Sequence, residues 1–113
     1  MTPSEVVEAY FERMRAGDPN VADLFGESAQ LVGLGNRVVG REAIRAFYTE
    51  AIERGGPQPS LAGPLMCDGG RVAAEIWIDL ADGSKVHVVD LFHVEDGQIA
   101  QLGYFVADEP PAD

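Results

Sequence analysis

Residues 71–107 constrain the fold more than any other part of the chain. Three alternating apolar segments, Arg71–Leu80, Lys85–Val94 and Gln98–Ala107, are separated by Asp82-Gly83 and Asp96-Gly97. An Asp-Gly step between such segments is a strong hairpin signal, because tight turns need backbone in the left-handed region that these residues tolerate. An antiparallel meander follows, and its apolar face must be covered by other elements. The middle segment also carries a charge. Period-two alternation places Asp90 on the face shared by Val86, Val88, Phe92 and Val94. A carboxylate facing a core costs several kcal/mol unless it is paired, hydrogen-bonded or neutralised. Asp90 therefore marks a pocket or a structural hydrogen bond.

The residues that must cover the sheet precede it. Thr2-Pro3-Ser4-Glu5 reads as an N-cap, a proline in the first turn and the glutamate of a capping box. Val6, Val7, Tyr10, Phe11 and Met14 then recur at helical spacing, and Gly17 ends the helix. Asp18-Pro19 opens a short second helix through Phe25, closed by Gly26. A third helix begins at Gly40-Arg41-Glu42, has Ile44, Phe47, Tyr48 and Ala51 on its apolar stripe, and stops at Gly55-Gly56-Pro57. Between these helices Ser28–Val32 and Arg37–Val39 read as strands around a turn at residues 33–36. Three prolines between Pro57 and Asp68 limit any strand there to an edge or a bulge. The order α-α-β-β-α-β-β-β-β implies an α+β fold with helices on one face of a curved, mostly antiparallel sheet.

The register of the first hairpin decides what accompanies Asp90. A two-residue turn at Asp82-Gly83 pairs Trp77 with Val88 and Glu75 with Asp90, which puts both carboxylates and Trp77 on one face. That face would also carry Val88 and Phe92 as pocket residues, with Glu75 as a possible acid or base. The opposite, convex face would then hold Ile76, Ile78, Val89 and Leu91, an apolar patch suited to a homodimer. A G1 bulge at the turn instead slips the register by one and removes Glu75 from Asp90's face.

Bulk properties bound the partners. The chain has 113 residues and a formal net charge of −11, so it reads as one domain over residues 1–108 with an acidic, proline-rich tail at 109–113. The charge argues against nucleic acid and anionic membranes, which need a basic footprint. The single cysteine, Cys67, excludes an intrachain disulfide and reads as a small core residue of a cytoplasmic protein. The sequence shows no leader pattern and no membrane-spanning run. His87 and His93 face away from Asp90 and lack a clustered third ligand, so neither a metal nor another cofactor is expected.

Val6-Val7-Glu8-Ala9-Tyr10, Ala16-Gly17-Asp18, Leu24-Phe25, the run from Gly40 to Tyr48, and Val89-Asp90-Leu91-Phe92 occur in this order over nearly the whole chain. In that order and spacing they resemble the ketosteroid isomerase-like and SnoaL-like branch of the nuclear transport factor 2-like superfamily. The resemblance implies a cone whose curved sheet and three helices enclose one apolar pocket. It also implies an oxyanion hole made by Tyr10 and a neutral Asp90, an arrangement for which the ketosteroid isomerases are the established example. Phe47, Leu102, Tyr104 and Val106 match pocket-wall positions.

One family element is missing. The isomerases carry a proton-shuttling aspartate near the end of the first strand, where this chain has Gly33, and no carboxylate lies between Glu27 and Glu42. Proton abstraction needs a base within about 3 Å of the proton or one water away. The chain therefore reads as a pocket protein that binds a neutral apolar ligand (a steroid, polyketide or phenol) through Tyr10 and Asp90. Two alternatives remain: an isomerase, cyclase or epoxide hydrolase using another carboxylate such as Glu75, and a non-catalytic dimeric module.

Overall fold

Helix α1, Pro3–Arg15, starts on the expected capping box: Glu5 N donates to Thr2 Oγ1 at 3.2 Å and Thr2 N donates to Glu5 Oε1 at 2.8 Å. The computed structural model describes residues 1–107, so the tail expected at 109–113 lies outside the described residues. After α1, Pro19–Leu24 forms a short 3-10 helix, the second of three helices, whose N-cap Asp18 accepts a hydrogen bond from Asn20 N. Strand β1, Phe25–Gly33, begins three residues before the expected strand, and β2 covers Asn36–Val39. The two-residue turn between them, Leu34-Gly35, has both residues at positive φ, 50° and 79°. Helix α2, Arg41–Glu53, buries Ile44 and Tyr48. The proline-rich stretch splits into two short strands, β3 (Gln58–Leu61) and β4 (Met66–Asp68), both paired with β5. Strands β5 (Arg71–Asp79), β6 (Lys85–Glu95) and β7 (Gln98–Val106) form the expected meander.

All seven strands form one curved, open sheet in the order β2-β1-β7-β6-β5-β3, with β4 also on β5. The β1–β7 pair is parallel, so the sheet is mixed. Its covered face carries Leu31, Val72, Ala74, Ile76, Val88, Phe92 and Leu102, and α1 packs there through Val6, Val7, Tyr10, Phe11 and Met14. Cys67 is not a core residue: it is exposed on β4, because an edge strand has nothing packed over that side chain.

The two Asp-Gly steps adopt different turns. Asp96 and Gly97 both have positive φ, and Glu95 pairs directly with Gln98, a two-residue hairpin. At the other step Gly83 alone has positive φ, Gly83 N donates to Leu80 O, and Leu80 N donates to Ser84 O. This is a turn followed by a glycine bulge. The Asp82 side chain stabilises it by accepting from Ser84 N at 2.9 Å and Ser84 Oγ at 2.6 Å. The extra loop residue shifts the β5–β6 register, so that Ala74 opposes Asp90 and Trp77 opposes His87.

This register corrects two expectations. Glu75 and Trp77 lie on the outer face, where Trp77 stacks on His87 with centroids 4.4 Å apart and His87 Nε2 meets Glu75 Oε2 at 2.8 Å. Ile76 and Ile78 move to the covered face, so the convex patch expected to hold a second copy loses two of its four residues. Its exposed apolar residues include Val89 and Phe105.

Candidate functional site

Between the covered face and the helices lies a cavity of about 350 Å³, within the usual range of about 300–1,000 Å³ for small-molecule sites. Three ladder pairs build its floor, because directly opposed residues share a face: Asp90 with Tyr104, Val88 with Val106, and Ile76 with Val88. Helix α1 adds Tyr10, Phe11 and Met14, and α2 adds Phe47, Tyr48 and Ala51. Among the described residues the lining contains one carboxyl group, that of Asp90, and no lysine, arginine or histidine.

Asp90 is 5% exposed, the one buried polar or charged residue of the described core. Its carboxyl group has no hydrogen bond or ion pair to a described residue, and its oxygens open to the cavity. Burial alone pushes its pKa up to about 7, because the ionised form loses water and gains no compensating partner. At neutral pH a substantial fraction of Asp90 is therefore a carboxylic acid able to donate a hydrogen bond.

The expected Tyr10–Asp90 pair takes a different form. The Tyr10 hydroxyl shares a buried hydrogen bond of 2.9 Å with the Tyr48 hydroxyl, a residue that the helical stripe marked simply as apolar. Burial, then the neighbouring Tyr48 and Asp90, hold Tyr10 well above the ordinary tyrosine range. Burial also raises Tyr48, as does the Asp90 charge, while its hydrogen bond to Tyr10 opposes the shift. Tyr104, raised by burial and by Asp90, stands across the ladder from the aspartate. Three phenols thus surround one carboxyl group. The signal for Tyr48 was a hydroxyl on an otherwise apolar stripe that faces the same core as Tyr10.

Removing one hydroxyl of the Tyr10–Tyr48 pair leaves the other buried without its partner, which costs about 1–3 kcal/mol. Tyr48→Phe is expected to lower stability by that amount in urea unfolding, and Tyr10→Phe added to it should recover part of the loss. Strict additivity of the two substitutions would show that the hydroxyls do not interact.

The remaining candidates divide cleanly. Phe47, Val88, Leu102, Tyr104 and Val106 line the cavity, with Phe47 and Val106 partly exposed at 39% and 38%. Phe92 does not. It is fully buried behind Tyr10 and Phe11, with ring centroids at 5.1 and 5.8 Å, and belongs to the core. Trp77 and Glu75 are outside, as the register requires.

Gly33 has a spatial role. A Cβ at this position would overlap Cδ2, Cε2 and Cζ of the Tyr104 ring. The β1–β7 register pairs Val32 with Gly103, and continuing it by one residue brings Gly33 beside Tyr104. The Tyr104 ring therefore fills the space that a side chain on residue 33 would take. The resemblance puts the isomerase base nearest Gly33, and the space beside Gly33 holds the Tyr104 phenol ring. No group of three or more possible metal ligands occurs among the described residues, and no helix there is long and apolar enough to cross a membrane.

A curved mixed sheet with three helices over one face, enclosing an apolar cavity, defines the nuclear transport factor 2-like α+β cone. A family model described as a SnoaL-like domain matches residues 7–102. The chain belongs to that family. Among solved structures it is similar to a nuclear transport factor 2-like protein of Cytophaga hutchinsonii (TM-score 0.83, 15% identity, 95% of this chain and 91% of that one). It is also similar to one of Mesorhizobium loti (TM-score 0.83, 22% identity, 93% and 90%). A third similar structure is a hypothetical protein of Catenulispora acidiphila with a ketosteroid isomerase-like fold, in complex with trimethylamine (TM-score 0.79, 18% identity, 93% and 86%). Among curated proteins none matches the sequence.

Proposed function

We propose that this chain binds a neutral, apolar small molecule carrying one oxygen function, of the steroid, polyketide or phenol class, and holds it without shuttling a proton. The observation that carries this reading is Asp90: a buried carboxyl group, pushed up to about 7, that opens to an otherwise apolar cavity. A neutral acid in such surroundings donates a strong hydrogen bond to a carbonyl or phenolic oxygen. The Tyr10–Tyr48 pair supplies a second polar point, and the apolar lining supplies most of the binding energy through burial. A shuttle using a second carboxylate beside Asp90 has no support, because Glu75 is on the other face and Asp90 is the sole lining carboxyl group among the described residues.

A titration with 2-naphthol, a neutral aromatic with one hydroxyl group, tests the reading. Binding is expected at pH 6, and Asp90→Leu should weaken it at least tenfold, about 1.4 kcal/mol. A β,γ-unsaturated ketone should isomerise no faster than in buffer. Absence of naphthol binding, or binding indifferent to Asp90→Leu, would refute the binding claim, and clear isomerase turnover would refute the absence of a shuttle.

A further inference from the structure

We infer that the same cavity also accepts a hydrophobic organic monocation, a tertiary or quaternary ammonium, as the counter-ion of an ionised Asp90. It shares with the proposed function the premise that the cavity binds a ligand, but not the premise that the ligand is neutral.

Asp90 is 95% removed from solvent and has neither a cationic partner nor a hydrogen-bond donor among the described residues. The groups facing it are Tyr10 on α1, Tyr48 on α2, Tyr104 on β7 and Ala74 on β5, none of them basic. A buried carboxylate in such a setting is an uncompensated charge, and the compensation that fits is a cation brought in by a ligand. The lining selects the kind of cation. Tyr10, Phe11, Phe47, Tyr48 and Tyr104 present five aromatic rings, and aromatic rings attract alkylated ammonium groups through their quadrupoles. Metal ions and ammonium hold their water too strongly to enter an apolar cavity with a single carboxylate, whereas an alkylated ammonium is weakly hydrated and buries its methyl groups. The chain's charge of −11 also raises the local concentration of cations.

Protonation of Asp90 sorts the two ligand classes. The acid form donates to a neutral oxygen, and the carboxylate form pairs with a cation. Burial holds Asp90 near 7, while the three phenols are raised and stay neutral throughout the neutral range. Cation binding should therefore strengthen as pH rises through 7, and binding of a neutral hydroxyl ligand should not.

The experiment uses benzyltrimethylammonium, whose charge is permanent, and its uncharged carbon isostere neopentylbenzene, with 2-naphthol as the neutral control. At pH 8 the cation is expected to bind at least tenfold more tightly than the isostere. Its affinity should fall about 30-fold at pH 5.5, the change in ionised Asp90 between those conditions. Asp90→Asn should remove the preference over the isostere; if that variant does not fold, the wild-type pH profile decides. A cation that binds no better than its isostere, or with a flat pH profile, overturns the inference. Naphthol binding without cation preference overturns it alone, and failure of both ligands removes the proposed function as well.

Discussion

Replacing Asp90 by asparagine is expected to make the protein more stable at pH 8 than the wild type, with the advantage shrinking as the pH falls towards 4. In the unfolded chain an aspartate titrates at about 3.9, and in the folded protein burial pushes Asp90 up to about 7. Between these values the folded state holds a proton that the unfolded state has lost, so stability falls as pH rises through the window. Below it both states are protonated and the group contributes nothing; above it both are ionised and the full cost persists. A shift of about three pH units corresponds to about 4 kcal/mol. Tyr10, Tyr48 and Tyr104 are held above their ordinary range and add no slope there. Glu5, Asp23 and Asp82, held low by hydrogen bonds, act in the opposite sense, and their contribution is lost only as pH drops through their lowered values. Urea unfolding of wild type and Asp90→Asn at pH 4.5 and 8 measures the effect. The difference between the two proteins should change by about 3 kcal/mol in favour of asparagine at pH 8. A constant difference would mean that the folded protein leaves the Asp90 titration where the unfolded chain has it.

Gly33→Ala is the second substitution with a large expected effect. The new methyl group would occupy the space of three Tyr104 ring carbons, so either the ring leaves its place opposite Asp90 or the β1–β7 pair opens. Overpacking of this kind costs about 1–3 kcal/mol. With Tyr104→Ala already present the collision disappears, and Gly33→Ala should then cost less than about 0.5 kcal/mol, the scale of an uncoupled change. Equal costs in both backgrounds would show that the two residues do not touch. The same geometry bears on catalysis. An aspartate introduced at position 33, the place the resemblance gives to the isomerase base, would meet the Tyr104 ring in the same way.

Much of the architecture was legible in the chain. Capping at Thr2 and Glu5, the helical stripes, the three late strands and the burial of Asp90 rest on local periodicity and turn chemistry, which act over a few residues. The resemblance extended this to the cone and to Tyr10, Phe47, Leu102 and Tyr104 around the cavity. The turn type at the first hairpin could not be read locally. Asp82-Gly83 and Asp96-Gly97 are the same dipeptide, yet one closes a two-residue turn and the other a glycine bulge held by Ser84. Because strand side chains alternate with a period of two, that single residue of slip moved Glu75 and Trp77 outward and brought Ile76 and Ile78 in.

By itself the sequence determined that an apolar strand would bury Asp90, since that follows from residue identity and alternation. The tertiary structure alone decided what surrounds that carboxyl group. Tyr48 pairs with Tyr10 across two helices, and Tyr104 leans over Gly33 across two strands. These neighbours are distant in sequence and meet because the sheet curves and the helices close over it, a contact geometry to which no local pattern refers.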